Sequence, residues 1–527
     1  MKRLYAFPLF LGLMLMNSTL MAQQENAFMK IDYSTGTANA IAPDGKWVVG
    51  GRAGEAFIYN TEAHQLQDLT ETGTIISANA VSNSGIIAGS YGANTMELKP
   101  VYYKDSKWNE LENTGSNDIG EAFAISLDDK KIAGYILDNA VKKPSIWTLE
   151  GNEYKIHILP SPEKDIFGMK PQGALVTNMS ADGNILVGRF RDWSGMYNQI
   201  IIWKLDESKG EYDYQLLATD MMYNTEAENP GPSLEFSDFV TAEYGTPEYK
   251  EQLDAFKAAV EKRNELMKEF YKGVSLDIGS VPLSYNGQYL ATSITMPDPE
   301  DTSSSINHPI RFDLKNNTNV IFSKQSDNIV CSVTNEGLLM TASPYNDLVR
   351  NSYIIKDENQ EDLLPLNEWL KEKHNFDIDA ELPESEDNDN VMTGTAFLSK
   401  NERNIYSFIF DVNSFTYINF CIQLSDKLNP TSIKNIETPT NEIIAYTKGQ
   451  TLYTNAISGK VDVIDLVGKI VYSTTINDND IDLAYLPKGV YIAKIISGAK
   501  EISKNIRGLS NFAPVGSFAQ EILSQDA

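Results

Sequence analysis

"ANAIAPDGKWVVGG" (residues 38–51) is followed by "ANAVSNSGIIAGSYG" (78–92) and "AFAISLDDKKIAGYI" (122–136). Each passage opens with small and apolar residues, passes a polar turn, and closes on an apolar run containing glycine. The first half alternates as a half-buried strand does. Asp44-Gly45 and Ser84-Gly85 are hairpin-turn pairs, in which glycine takes up positive φ. The second half is rich in β-forming residues. A third strand follows in each copy, "EAFIYN" from 55, "KPVYYK" from 99 and "KPSIWTL" from 143. A short fourth comes next, "HQLQDL" from 64, "KWNELEN" from 107 and "YKIHILP" from 154. One copy therefore predicts a four-stranded antiparallel meander.

The pattern returns in "ALVTNMSADGNILVGRF" (174–190), "SVPLSYNGQYLATSI" (280–294), "VCSVTNEGLLMTAS" (330–343) and, most altered, "VMTGTAFLSKNERNIYSFIFD" (391–411), making seven copies. Asp129 stands where the other turns carry glycine. A single meander cannot bury both of its faces, whereas radial stacking buries them and leaves only short edges. The expected fold is all-β, a seven-bladed β-propeller over residues 23–428. Ala40, Ala80 and Ala124 should lie on the innermost strands, where the sheets converge. A β-sandwich array is the alternative, but it does not require the same turn in every unit. The mature N-terminus offers "NAFMKIDY" (26–33) as an outer strand for the last blade.

The repeat resembles the HAF family of extracellular proteins over roughly residues 38–411. That resemblance implies a propeller-like architecture and no catalytic residues.

Between the fourth and fifth copies, about residues 206–276, an insertion interrupts the pattern. "TPEYKEQLDAFKAAVEKRNELMKEFYKG" (246–273) predicts one helix, with Thr246 as cap, Pro247 at its first position and Gly273 past its end. Leu253, Phe256, Val260, Met267 and Phe270 form its apolar stripe. The helix is expected to lie against the sheets, or else to act as a lid. "NPTSIKNIETPTNE" (429–442) reads as a linker. Residues 443–508 then alternate strand and turn as a small Ig-like β-sandwich does. Its expected core is Val463, Ile470, Leu483, Tyr491 and Ile495, and a tail occupies 509–527. "VDVIDLVGKIVY", "IDLAYLPKGVYIAKI" and Lys504 are similar to the C-terminal sorting domain of the type IX secretion system of Bacteroidota. This implies the secretion machinery as a partner.

The opening "MKRLYAFPLFLGLMLMNSTLMAQQ" has a basic start and a short apolar run ending near Ala22. It reads as a signal peptide, residues 1–22. The expected location is exported: cell surface, secreted or periplasmic. No later segment is apolar enough for a transmembrane span. The net charge of -28 excludes a nucleic-acid partner, which would require a basic surface. Cys331 and Cys421 are the two cysteines, too few for a disulfide scaffold in a chain of 527 residues.

The four histidines, His64, His157, His308 and His374, fall at no metal-ligand spacing. No nucleophile elbow, phosphate loop or dinucleotide fingerprint appears. No catalytic residue, metal ligand or cofactor is assigned. One stretch combines arginine with aromatics, "GRFRDWSGMYN" (188–198). Arg189, Arg191, Trp193 and Tyr197 are its candidate ligand-binding residues, although both aromatics could instead pack on the inserted helix. The reading is an exported, non-catalytic propeller that binds a protein or glycan ligand at the cell envelope. The alternative is a secreted glycan-active hydrolase or lyase on the same scaffold.

Overall fold

The computed structural model describes residues 26–429 apart from 34–35, 52–53, 302–303, 343–351, 382–390, 394–395 and 412–415. It also describes 445–507 apart from 449–450, 455–458, 466–467, 477–479, 484–485, 488–489 and 498–499. The expected signal peptide (1–22), nearly all of the linker (429–442) and the tail (509–527) lie outside the described residues. The chain divides into two compact units, Met1–Asn429 and Pro430–Ala527.

The first unit is a succession of antiparallel meanders among the described residues. The first sheet runs Thr37–Ile41, Trp47–Gly51, Phe57–Asn60 and Gln65–Asp68. Equivalent sets of strands span 75–110, 120–158, 173–216, 275–321 and 329–365. The third and fourth sets are joined by a single parallel pair, Lys142 with Gly173. The seventh sheet is built from strands between 391 and 423 together with Ala27–Ile31. The latter strand pairs antiparallel with Thr416–Gln423, Met29 lying opposite Cys421. Both ends of the unit thus meet in one sheet. Both cysteines are buried, and no disulfide joins them.

The repeated turn has a mechanical reason. In the third, fourth, fifth and seventh copies a serine at its start donates to the side chain two residues on: Ser126 to Asp128 (2.8 Å), Ser180 to Asp182 (2.7 Å), Ser284 to Asn286 (2.8 Å) and Ser399 to Asn401 (2.6 Å). The same hydroxyls accept the N–H that opens the next strand, as Ser180 does from Ile185 at 3.0 Å. These bonds occupy groups that the tight turn would otherwise leave unpaired. The residue after the acid or amide is left-handed: Gly45, Gly85, Gly183, Gly287 and Gly337, with Asp129 and Glu402 (φ 59° and 64°) in the remaining copies.

Each turn also holds its neighbour. Asp44 N–H donates to Asn83 Oδ1 (2.9 Å) and Ser84 Oγ to Asp129 Oδ2 (2.7 Å). Leu127 N–H donates to Ala181 O, and Ala181 N–H to Tyr285 O, both at 2.9 Å. Asn286 N–H donates to Asn335 Oδ1 (2.9 Å), and Asn335 N–H to Glu402 Oε1 (2.7 Å). Asn401 N–H donates to Pro43 O (2.9 Å), which returns the series to the first turn.

The insertion begins later than 206, because Glu211–Leu216 first completes the fourth sheet. This strand is mostly exposed, with Tyr212, Tyr214 and Leu216 alternating with Glu211, Asp213 and Gln215. Helices α1 (Thr219–Met222), α2 (Phe236–Phe239) and α3 (Pro247–Phe270) follow. Thr246 Oγ1 caps α3 by accepting from Tyr249 N–H at 3.1 Å. Only Phe270 of α3 is buried, and it packs with Tyr223 and Leu276. The rest of the apolar stripe is half-buried, with Phe256 held between Phe236 and Phe239 of α2. Helix α3 is therefore anchored by its last turn.

The second unit contains a three-stranded sheet, 445–454 with Asp480–Asp482, and a four-stranded sheet of Gly459–Asp465, Ile470–Ile476, Val490–Ser497 and Lys500–Arg507. Leu452 and Ile481 from the first share a core with Val461, Val463, Tyr491 and Ile495 from the second. Leu483 belongs to this core, but Ile470 does not: it is 51% exposed. A register shift between Val463 and Ile464 interrupts the alternation, and Ile476 supplies the buried residue of that edge strand instead.

Candidate functional site

A cavity of about 600 Å3 is lined by residues from every copy of the repeated pattern. First strands contribute much of its wall, and Ala40, Ala80 and Ala124 stand on it. In five sheets the first strand carries a β-bulge at one place, between residues 38 and 40, 78 and 80, 122 and 124, 176 and 178, and 330 and 332. The extra residues, Asn39, Asn79, Phe123, Thr177 and Cys331, all line the cavity. A bulge re-aims one side chain without ending the strand, and here it supplies one residue per sheet to the wall.

A close approach of the first strand accounts for the glycine closing each early copy. A Cβ on Gly50, Gly89, Gly134 or Gly188 would fall within 1.9–2.1 Å of a first-strand carbonyl oxygen. Later copies have Thr292, Thr341 and Ser407 at this place. Thr292 Oγ1 donates to Asp277 O and Ser280 O. The side chains between sheets are also tied. Asn39 Nδ2 donates to Ala78 O (3.2 Å), Asn79 Nδ2 to Ala122 O (2.9 Å), and Tyr406 OH reaches from the seventh sheet to Asn39 O (2.7 Å).

The four candidate ligand residues fall into two pairs. Arg189 and Arg191 line the cavity, on the same face of one strand two residues apart. Trp193 and Tyr197 are partly buried in a core with Phe167, Tyr223 and Phe270. Tyr197 meets Tyr271, just beyond α3, edge-on at 5.5 Å. Asp192 shapes the loop between the pairs by accepting from Ser194 N–H and Tyr197 N–H.

Lys142 joins the arginines on the cavity wall. Its ammonium sits 4.2 Å from the Tyr135 ring, and Tyr135 OH donates to Glu121 Oε1 at 2.9 Å. Burial lowers the Lys142 pKa; Glu121 opposes that shift, and Arg191 and Arg189 reinforce it. Arg189 Nη2 donates to Gly279 O at 2.9 Å. Two further ionisable residues, Lys400 and Glu402, line the cavity near the closing turn. Burial pushes Lys400 down to about 8, against the pull of Glu402. Burial, followed by the charge of Glu336, pushes Glu402 up to about 8. The aromatic-arginine composition marked the arginines in the sequence. Nothing marked Lys142, Glu121, Lys400 or Glu402, which come from two strands and one turn.

Residues 438–507 match the secretion system C-terminal sorting domain family. This domain implies export towards the cell surface or into the medium. No helix of the described residues is long and apolar enough to cross a membrane. No curated protein matches the chain. Among solved structures, the chain is similar to the β-propeller domain of the trilobed protease from Pyrococcus furiosus, at 8% identity and TM-score 0.40, over 76% of this chain and all of that one. It is also similar to PorZ, a surface component of the type IX secretion system of Porphyromonas gingivalis, at 11% identity and TM-score 0.34, over 88% of this chain and 57% of that one. A putative TolB from Agrobacterium tumefaciens aligns at 11% identity and TM-score 0.32, over 56% of this chain and 87% of that one. With TM-scores below 0.5, these likenesses carry no weight beside the sheet pairing and the shared cavity.

Proposed function

We propose that residues 23–428 form a seven-bladed β-propeller of HAF-type repeats, exported by a signal peptide and followed by an Ig-like sorting module. On this reading the protein is a non-catalytic binding protein of the cell envelope, and its protein or glycan ligand enters the channel between the blades. The observation that carries the reading is the cavity of about 600 Å3 to which every copy of the repeat contributes. That volume lies within the usual range for ligand sites. Small residues on the wall keep it open, and Arg189 and Arg191 give it polar contacts.

The alternative, a glycan-active hydrolase or lyase, would call on cavity carboxylates. Glu121 is engaged by Tyr135 OH, and Glu402 by Asn335 N–H. Neither is held as a free acid-base pair, which favours binding. The test is a glycan array and an envelope pull-down with the mature protein and with Ala80→Trp, which fills the channel. Loss of the captured ligand in Ala80→Trp supports the reading. Retention by the filled channel overturns it.

A further inference from the structure

The first unit belongs to a strongly acidic chain, of net charge -28, yet Lys142, Arg189 and Arg191 are gathered on one wall of its cavity. Strand register accounts for the grouping. Gly173 pairs with Lys142 on one side and with Arg191 on the other. Its φ of +109° and its approach to the Lys142 carbonyl leave no room for a side chain. The two cationic strands are therefore brought to either side of a bare backbone, with Arg189 two residues further along the same face.

The protein offsets this charge only in part: Glu121 acts on Lys142 and Asp277 on Arg189. Among the described residues no acceptor or acid engages the Arg191 guanidinium, and the Nε–H groups of Arg189 and Arg191 are both buried without an acceptor. Glu121, the anion facing Lys142, already accepts from Tyr135. A half-buried guanidinium with unpaired N–H groups, as at Arg191, is costly, and a docked anion offsets that cost. The guanidinium fork fits a planar carboxylate through two parallel bonds. Glu121 beside Lys142 reduces the local excess of positive charge, which favours a monoanion over a phosphate dianion. Phe123 and Leu175 on the same wall supply apolar contact.

Resting on the channel as the ligand site, we propose that it takes a carboxylate-bearing ligand, held by Arg191 and Lys142 with Arg189 in support. The carboxylate can arrive on an acidic sugar or on the free end of a short peptide. Calorimetric titration of the mature chain with a galacturonate trisaccharide and its methyl ester, and with N-acetyl-triglycine and its amide, separates these sources. One of the two acids should bind at least about tenfold more tightly than its neutral counterpart. Arg191→Gln and Lys142→Gln should each remove most of that difference while leaving the melting temperature unchanged. Arg191→Lys should restore part of it. Binding indifferent to charge, no binding of either acid, or a preference that survives both glutamine variants overturns the inference. Charge-indifferent binding that Ala80→Trp abolishes leaves the channel reading standing. Binding that Ala80→Trp leaves intact overturns both.

Discussion

Gly134 shows how one atom constrains a whole copy. It faces the bulged first strand of its sheet, and an added Cβ would fall 1.9 Å from the Glu121 carbonyl oxygen. Gly134→Ala should destabilise the first unit by about 1–3 kcal/mol, the usual range for forcing atoms into a packed site. Gly210→Asn, at an open turn with φ 71°, should stay within about 0.5 kcal/mol of the wild type. Urea unfolding of both variants checks the contrast. Glu402 sets a pH dependence. Burial pushes its pKa up to about 8, above the ordinary glutamate value of 4.5. The folded state therefore holds more protons than the unfolded one between those values, and stability falls as pH rises through that window. Glu402→Gln keeps an acceptor for Asn335 N–H, so it should raise the melting temperature at pH 8 and change it little at pH 5. An equal shift at both values would count against the titration. The glycines were legible in the sequence because they recur at one place. Glu402 was not, since a glutamate at a left-handed turn position breaks the pattern by which the turn is read.

At the scale of elements, the N-terminal strand bears the most consequence. Met29 and Ile31 on Ala27–Ile31 are buried against the seventh and first sheets. Asn419 binds the segment that follows, donating to Tyr33 O and Gly36 O and accepting from Ala38 N–H. Deleting residues 23–34 should cost at least about 3–6 kcal/mol, from two large apolar side chains alone. Calorimetry should show a lower melting temperature for the whole first unit, and an unchanged one would mean the strand adds nothing. Helix α3 provides a second contrast. Phe270→Ala should cost about 3–5 kcal/mol, while Phe256→Ala should loosen α2 and leave sheet stability nearly intact. The cap and start of α3 were readable from Thr246 and Pro247, which act locally. The strand Glu211–Leu216 does carry a period-2 signal in Tyr212, Tyr214 and Leu216, too short and exposed to stand out beside the insertion, and the bulges were missed because a one-residue shift leaves no trace in composition. For the candidate site, the sequence marked Arg189 and Arg191 but grouped them with Trp193 and Tyr197. Neighbours along the chain were separated by the Asp192 loop, and Lys142 was added by pairing across sheets.

For the molecule as a whole, the second unit has a core of its own, from Leu452 to Ile495. A fragment of residues 443–508 should therefore fold alone, giving dispersed amide resonances and a cooperative melt. A fragment that remains unfolded would show that this core depends on the rest of the chain. The first unit has a different relation to time. Asn26 accepts from Ser425 N–H, a contact between residues 399 positions apart, and the seam joins Ala27–Ile31 to a strand ending at Gln423. Synthesis delivers the first partner early and the second last. Until Thr416–Gln423 has emerged, the earlier sheets form an open arc with unpaired edges at both ends, each a template for a stray strand. The N-terminal strand thus behaves as a latch waiting for its keeper, and a chain cut short anywhere before residue 416 leaves it permanently open.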